Sequence, residues 1–479
     1  MSSFALIEVR PVARPLPAAL LVVLCSIFAW QGCARSSFHE DYRLPVEESR
    51  SASVTPADWQ FWWGVSTSSY QTEDPGPPSE NLGFETDWDL AYRSGQMKEP
   101  RGNATWSYTC TQRDFAALKQ LGVTHYRFSV EWARVEPRPG EFNELAIEHY
   151  VQLARNLRAA GITPLVTLWH FTFPSWLASD DSRRNGWLHP DMPARWHAYV
   201  ERMAKALTPD VKDICPQNEP NTYALGSLVG YFPPGQLLGY EDYLRIQDRQ
   251  ADAFNDAAGI LRAARPDVRI ISVQNIIHWE RDVFDPLGLW CAKGREYNYY
   301  HLDKIAASCD WIGFNYYMAE TATPLMRILQ TLRIGENCSD CGWRIDADGM
   351  AIEIAGLAKR YGKPMLITEN GISTCDDRKR SLYLLKHVNA VRRAMLAGHD
   401  VRGYMHWSLM DNYEWADGYG EKFGLCELDS KSLAVIPRKS ASLFRMLATE
   451  KRCKPLLPPI PAGQREIAEV NSRRRASGS

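Results

Sequence analysis

The chain has 479 residues, with 55 Lys and Arg against 57 Asp and Glu and a formal net charge of -2. So even a balance leaves no broad positive field to hold phosphates, which excludes a nucleic-acid partner. The length admits two or three average domains, or one barrel with elaborated loops.

In chain order, Arg10 and Arg14 precede an uncharged run from Ala18 to Trp30 that is too short for a bilayer span. Residues 1–33 therefore read as an export signal. Gly32-Cys33 stands where a lipoprotein signal would be cut and acylated, with Trp30 in the place usually held by Leu. A lipidated Cys33, an ordinary cleaved signal and an uncleaved anchor are the three readings. The expected location is periplasmic, outer-membrane or extracellular, with membrane contact only through that N-terminus. Residues 34–57 are polar and Pro-containing, as a flexible tether would be.

From Trp59 onward, apolar β-prone runs alternate with amphipathic stretches. Val123 to Val130 reads as a strand, Leu145 to Ala160 as a helix, Thr163 to Trp169 as a strand and Pro193 to Leu207 as a helix. Further strands are expected at Ile214-Cys215, Arg269 to Val273, Asp310 to Asn315, Pro364 to Glu369 and Val401 to Ser408. This alternation predicts an α/β fold, a single (β/α)8 TIM barrel over residues 58–453 with elaborated βα loops. Residues 454–479 are Pro-rich, then basic, and read as a disordered tail. Among eleven cysteines, Cys338 and Cys341 form a C-x-x-C without a second pair at zinc spacing, so neither a metal nor a redox role follows. The pair is either a loop staple or two free thiols.

Two of the strands end in a glutamate. Pro216-Gln217-Asn218-Glu219-Pro220 and Ile367-Thr368-Glu369-Asn370-Gly371 each carry a carboxylate out of an apolar run that Pro or Gly then breaks. In a (β/α)8 barrel that end of the strands bears the catalytic groups. Two carboxylates fixed apart are the minimum equipment for glycosidic cleavage, one as acid and one as nucleophile or base. The 17 Trp and 21 Tyr suit the flat C–H faces of a sugar as well as a large core. No phosphate-cradling loop, H-E-x-x-H or Ser-His-Asp pattern is present, so no cofactor is called for.

Seven segments in order resemble glycoside hydrolase family 1, the β-glucosidase family. They are Phe61 to Glu73, Tyr126-Arg127-Phe128-Ser129, Thr167-Leu168-Trp169-His170, Asn218-Glu219-Pro220, Ile312 to Tyr317, Thr368-Glu369-Asn370-Gly371 and Trp407 to Trp415. The resemblance implies a retaining β-glycosidase in which Glu369 attacks the anomeric carbon and Glu219 serves as acid, then base. Retention asks for carboxyl groups about 5 to 5.5 Å apart. It further implies that Arg127 and Tyr317 hold the nucleophile, with Glu219 kept protonated by its partner's negative charge. Asn218 would bond the 2-hydroxyl. Gln71, His170, Asn315, Glu414 and Trp415 would hold the nonreducing sugar over Trp407, and Phe423 would close the pocket. A carboxylate at Glu414 would repel a 6-phosphate, whose charge is about -1.5 to -2.

The substrate expected is a small β-glycoside. Two other functions fit the same resemblance: transglycosylation to a sugar or lipid acceptor, and a non-catalytic carbohydrate-binding barrel. The latter would predict loss of a carboxylate or of Arg127, and all are present. Oligomeric state is not encoded. The sequence departs from the family's pattern at Phe171, where Trp is usual, at Pro75 and at Tyr108 to Gln112.

Overall fold

The protein is described by a computed structural model covering residues 61–178, 186–233, 238–321, 323 and 337–449. The expected export signal, tether and tail all lie outside the described residues. Among the described residues no helix is long and apolar enough to cross a membrane.

Strands β1 (Trp62–Ser66), β2 (His125–Ser129), β3 (Thr163–Trp169), β4 (Asp213–Gln217), β5 (Arg269–Ile270), β6 (Gln274–Asn275), β7 (His278–Glu280), β8 (Ile312–Asn315), β9 (Ala319–Thr321), β10 (Met365–Asn370) and β11 (Val401–Trp407) organise the chain. Nine of them form one sheet in the order β5-β4-β3-β2-β1-β11-β10-β8-β6. All of its pairings are parallel. The two ends of this order are halves of a single run of chain, linked through an Ile271–Trp311 bridge. The sheet therefore closes on itself with eight staves, and the (β/α)8 barrel expected from the alternation is observed.

Parallel strands covered by helices are buried on both faces and need apolar residues at successive positions. β3 and β10 meet that need, with Thr163 the one residue of the two that is not buried. Trp62, Leu165, Cys215, Ile271, Val273, Trp311, Leu366 and Met405 form a separate inner cluster that fills the barrel. The helix Glu144–Ala159 shows how the outer layer is specified. Asn143 caps it by accepting from the Ala146 N–H at 3.2 Å, and Ile147, Tyr150, Val151, Ala154 and Leu157 recur at helical spacing on its buried face.

The expected elements hold to within two residues at most ends. The run read as one strand from Arg269 to Val273 is an exception: it breaks at residues 271–273, so that β5 pairs with β4 and β6 with β8. Trp62–Ser66, taken in sequence only as part of a family segment, is the first stave. Gly313 in β8 is packed so closely that a Cβ would lie 2.0 Å from the Ser272 carbonyl oxygen. The Ser272 backbone cannot yield, and the buried side chains of Ile271 and Thr368 crowd the same space at 2.7 and 2.9 Å, so Gly313→Ala should cost about 3 kcal/mol. Chemical denaturation of the variant measures this, and an unchanged midpoint would contradict the packing argument.

Candidate active site

β2, β4, β8, β10 and β11 deliver the polar ends of their strands to one end of the barrel. Glu369 arrives there through a bulge: Ile367 is opposite Phe314 and Glu369 is opposite Asn315, two steps along β10 for one along β8. An extra residue re-aims the side chains that follow it. Glu219 lies just beyond β4, as N-cap of the helix Pro220–Leu228, with φ +36°. Its N–H donates to the Val273 carbonyl at 2.8 Å. Phe171 (φ +73°) and Trp415 (φ +48°) share the left-handed conformation, which costs roughly 1–3 kcal/mol at a non-glycine residue and gathers at functional sites.

The two carboxylates are unequally served. Arg127, fully buried, pairs with Glu369 Oε1, while the Tyr317 hydroxyl donates to Glu369 Oε2 at 2.6 Å. The remaining guanidinium nitrogens of Arg127 are also occupied: Nη2 donates to Asn218 Oδ1 at 2.7 Å and Nε to Thr167 Oγ1 at 3.0 Å. Glu219 receives the amides of Asn315 at 2.7 Å and Asn275 at 3.4 Å, with the Thr222 side chain as a further hydrogen-bonding neighbour. Thr368 Oγ1 fixes Asn315 by donating to its Oδ1 at 2.6 Å.

Burial pushes the Glu219 carboxyl up to about 7, and the negative charge of Glu369 adds to the rise. The partner's charge, given as the reason in the sequence reading, is one of the two causes, and burial acts beside it. Glu369 is also raised by burial, and Arg127, Tyr317 and Asn315 pull against that rise. Burial and the neighbouring Arg127 hold His170 well below the ordinary imidazole range. His170 is therefore a neutral polar group, and its buried Nδ1 has no hydrogen-bond partner among the described residues.

A second cluster adjoins the first. Gln71 Nε2 donates to Glu414 Oε2 at 3.0 Å and to the Tyr413 carbonyl at 2.8 Å, and Ser68 Oγ orients it by donating to Gln71 Oε1 at 2.7 Å. Burial, then the charges of Asp417, Glu421 and Glu369, push Glu414 well above the ordinary carboxylate range. His170 lies between the Trp407 and Trp415 rings, 5.9 Å from each and nearly parallel to both. Tyr70 also stacks on Trp415 at 5.8 Å, so this indole serves the core as well. Phe423 packs edge-on to Tyr317 at 6.1 Å.

The residues to which the resemblance gave catalytic or sugar-binding roles thus lie together at this end of the barrel. Asn275 and Thr167 were missed. Gln274-Asn275 follows an apolar strand in the manner of Gln217-Asn218-Glu219, and applying the same strand-end rule would have found it. Where the sequence departs from the family at Tyr108, the ring stacks on His149 at 3.7 Å beneath the Arg134 guanidinium, which also donates to the Pro75 carbonyl.

Cys338 and Cys341 are free thiols, with Ser339 Oγ 3.0 Å from Cys341 Sγ. His278, Glu280 and Asp346 bring donor atoms within 4.8 Å of one another. His278 is bonded to Glu353 at 2.8 Å and Glu280 is paired with Arg344 at 3.1 Å, so a cation there would have to displace both.

Comparison with known proteins agrees with this arrangement. The profile of glycosyl hydrolase family 1 matches residues 55–281 and 293–453. A bifunctional β-D-glucosidase/β-D-fucosidase of Bifidobacterium breve is 29% identical, over 80% of this chain and 96% of its own. A β-galactosidase of Pyrococcus woesei is 27% identical, over 81% and 96%. Among solved structures, a β-glycosidase from Pyrococcus horikoshii superposes with a TM-score of 0.71 at 31% identity, covering 82% of this chain and 95% of that one. A β-glucosidase from Thermotoga maritima in complex with glucoimidazole gives 0.71 at 25% identity, covering 82% and 98%.

Proposed function

The chain belongs to glycosyl hydrolase family 1 and is a β-glucosidase-like hydrolase, and from that premise we propose that it removes terminal, nonreducing β-glucosyl or related β-glycosyl residues with retention of configuration. The observation that carries this reading is the unequal surroundings of Glu369 and Glu219. A guanidinium and a phenol pull one carboxyl toward its anion, while deep burial and the charge of that anion, opposed chiefly by neutral donors, leave the other ready to be protonated.

Glu369 attacks the anomeric carbon as Glu219 gives its proton to the departing oxygen. Glu219 then takes a proton from water, the oxygen of that water attacks the same carbon, and Glu369 leaves. Two inversions restore the starting configuration. Asn218, held by Arg127, is placed to bond the 2-hydroxyl as charge develops, and such a bond accelerates only if it strengthens in the transition state. Gln71, Glu414 and His170 grip the outer hydroxyls beside Trp407. A 6-phosphate would meet Glu414, Asp417 and Glu421 together, so the preferred sugar is unphosphorylated.

A 2-deoxy-2-fluoro-β-glucoside with an activated leaving group should leave a covalent sugar on Glu369, found by peptide mass spectrometry. Product formed with inverted configuration would overturn the reading. The pH profile gives an independent check. Glu219 must be protonated to act as acid, so kcat/KM should fall as pH rises through about 7, approaching tenfold per pH unit. If that limb persists in Glu219→Gln, the ionisation belongs to another group.

A further inference from the structure

The family profile leaves one internal gap, residues 282–292. This segment follows β7 on the catalytic face of the barrel, a few residues beyond Asn275 at Glu219. It is held by its own polar groups. Asp282 accepts from the Thr323 N–H and hydroxyl, and Asp285 accepts from the N–H groups of Trp290 and Cys291 at the start of the helix Leu289–Ile305.

The outward surface is of a different chemistry. Val283 is 81% exposed, Leu287 79%, Leu289 65%, Trp290 48% and Phe284 45%. Arg281, Lys293 and Arg295 around them are exposed as well. Between residues 281 and 296 the acidic side chains are all covered at least in part: Asp285 is buried, and Asp282 and Glu296 are half-buried, with Glu296 paired to Lys293 at 2.7 Å. So many large apolar groups in so short a loop exceed the scattered exposure normal for a soluble surface.

We propose that this loop docks on an anionic lipid bilayer, seating the catalytic face toward the membrane. Apolar and aromatic side chains fringed by cations are the composition that settles at the boundary of headgroups and acyl chains. The basic fringe complements anionic lipid, and a protein partner would as readily accept acids. Under the uncleaved-anchor reading of the N-terminus, the uncharged run Ala18 to Trp30 lies only 30 residues ahead of Phe61, from residue 31 to residue 60. That length reaches about 100 Å at full extension, enough for both features to meet one bilayer.

The test is hydrogen exchange on the full chain with vesicles of phosphatidylglycerol, vesicles of phosphatidylcholine, or no lipid. Amides of residues 283–290 should exchange about tenfold more slowly with phosphatidylglycerol alone, and the doubly substituted Leu287→Asp, Leu289→Asp protein should lose that protection while hydrolysing a soluble aryl β-glucoside at the normal rate. Vesicle-bound protein whose loop amides exchange freely would overturn the proposal, because its N-terminal run alone would then hold it. Protection that appears without lipid and grows with protein concentration would overturn it in favour of a second copy of the chain.

Discussion

Glu369→Gln should lose at least about a thousandfold in kcat on an aryl β-glucoside while melting no lower than the parent. An amide has no electron pair of carboxylate strength to offer the anomeric carbon, so the covalent step disappears. The fold keeps its contacts. Gln Oε1 can accept from Arg127, Nε2 can donate to the Tyr317 oxygen, and the guanidinium still has Asn218 and Thr167. Burial already disfavours a charge at this position, and a neutral group relieves that cost. Activity and stability should therefore part company, as they do where a site is built against the preference of its surroundings. Steady-state kinetics and a thermal melt on one preparation decide it. Retained turnover would refute the nucleophile assignment, and a collapsed melt would reduce Glu369 to a structural ion-pair residue.

Glu219→Gln should discriminate between leaving groups. A nitrophenolate departs without a proton, so formation of the glycosyl-enzyme should be little affected. An alkyl glucoside needs the acid and should lose about a hundred- to ten-thousandfold. Loss of the general base also slows water's attack, so the good substrate should show a burst of nitrophenol followed by slow turnover. Azide needs no base and should restore that second phase. Equal losses on both substrates, with no burst, would show that Glu219 positions the sugar and transfers no proton.

The barrel was legible because its evidence is periodic: buried strands must be apolar, and helices must show one apolar face. The broken fifth stave was not, because Ser272 and Val273 are as compatible with a strand as with a break, and pairing decides between them. Glu219 and Glu369 stood out as acids closing apolar runs. The bulge that aims Glu369 leaves no trace in composition, since an extra residue is defined only against a partner strand. Arg127 and Tyr317 were recognisable as members of motifs, and their division of the two carboxylate oxygens is visible only in three dimensions. The raised carboxyl of Glu219 was expected for a secondary reason: burial is a property of the whole fold, and the neighbouring charge is what a pair of motifs suggests.

One guanidinium set against two carboxyl groups fixes the ionic sum of this centre. With Glu219 protonated, the anion of Glu369 and the cation of Arg127 cancel. Once Glu369 is esterified by the sugar, Glu219 has given up its proton and cancels the same cation. The proton taken from water restores the first state. The summed charge of Arg127, Glu369 and Glu219 is thereby conserved at zero through the cycle, and no stage leaves an unbalanced ion among these three in a region of low polarisability, where solvating it would dominate the barrier. A second cation beside Glu219 would strengthen one state and leave the next with an excess. The single arginine is consistent with a centre matched to the whole cycle and not to any one of its intermediates.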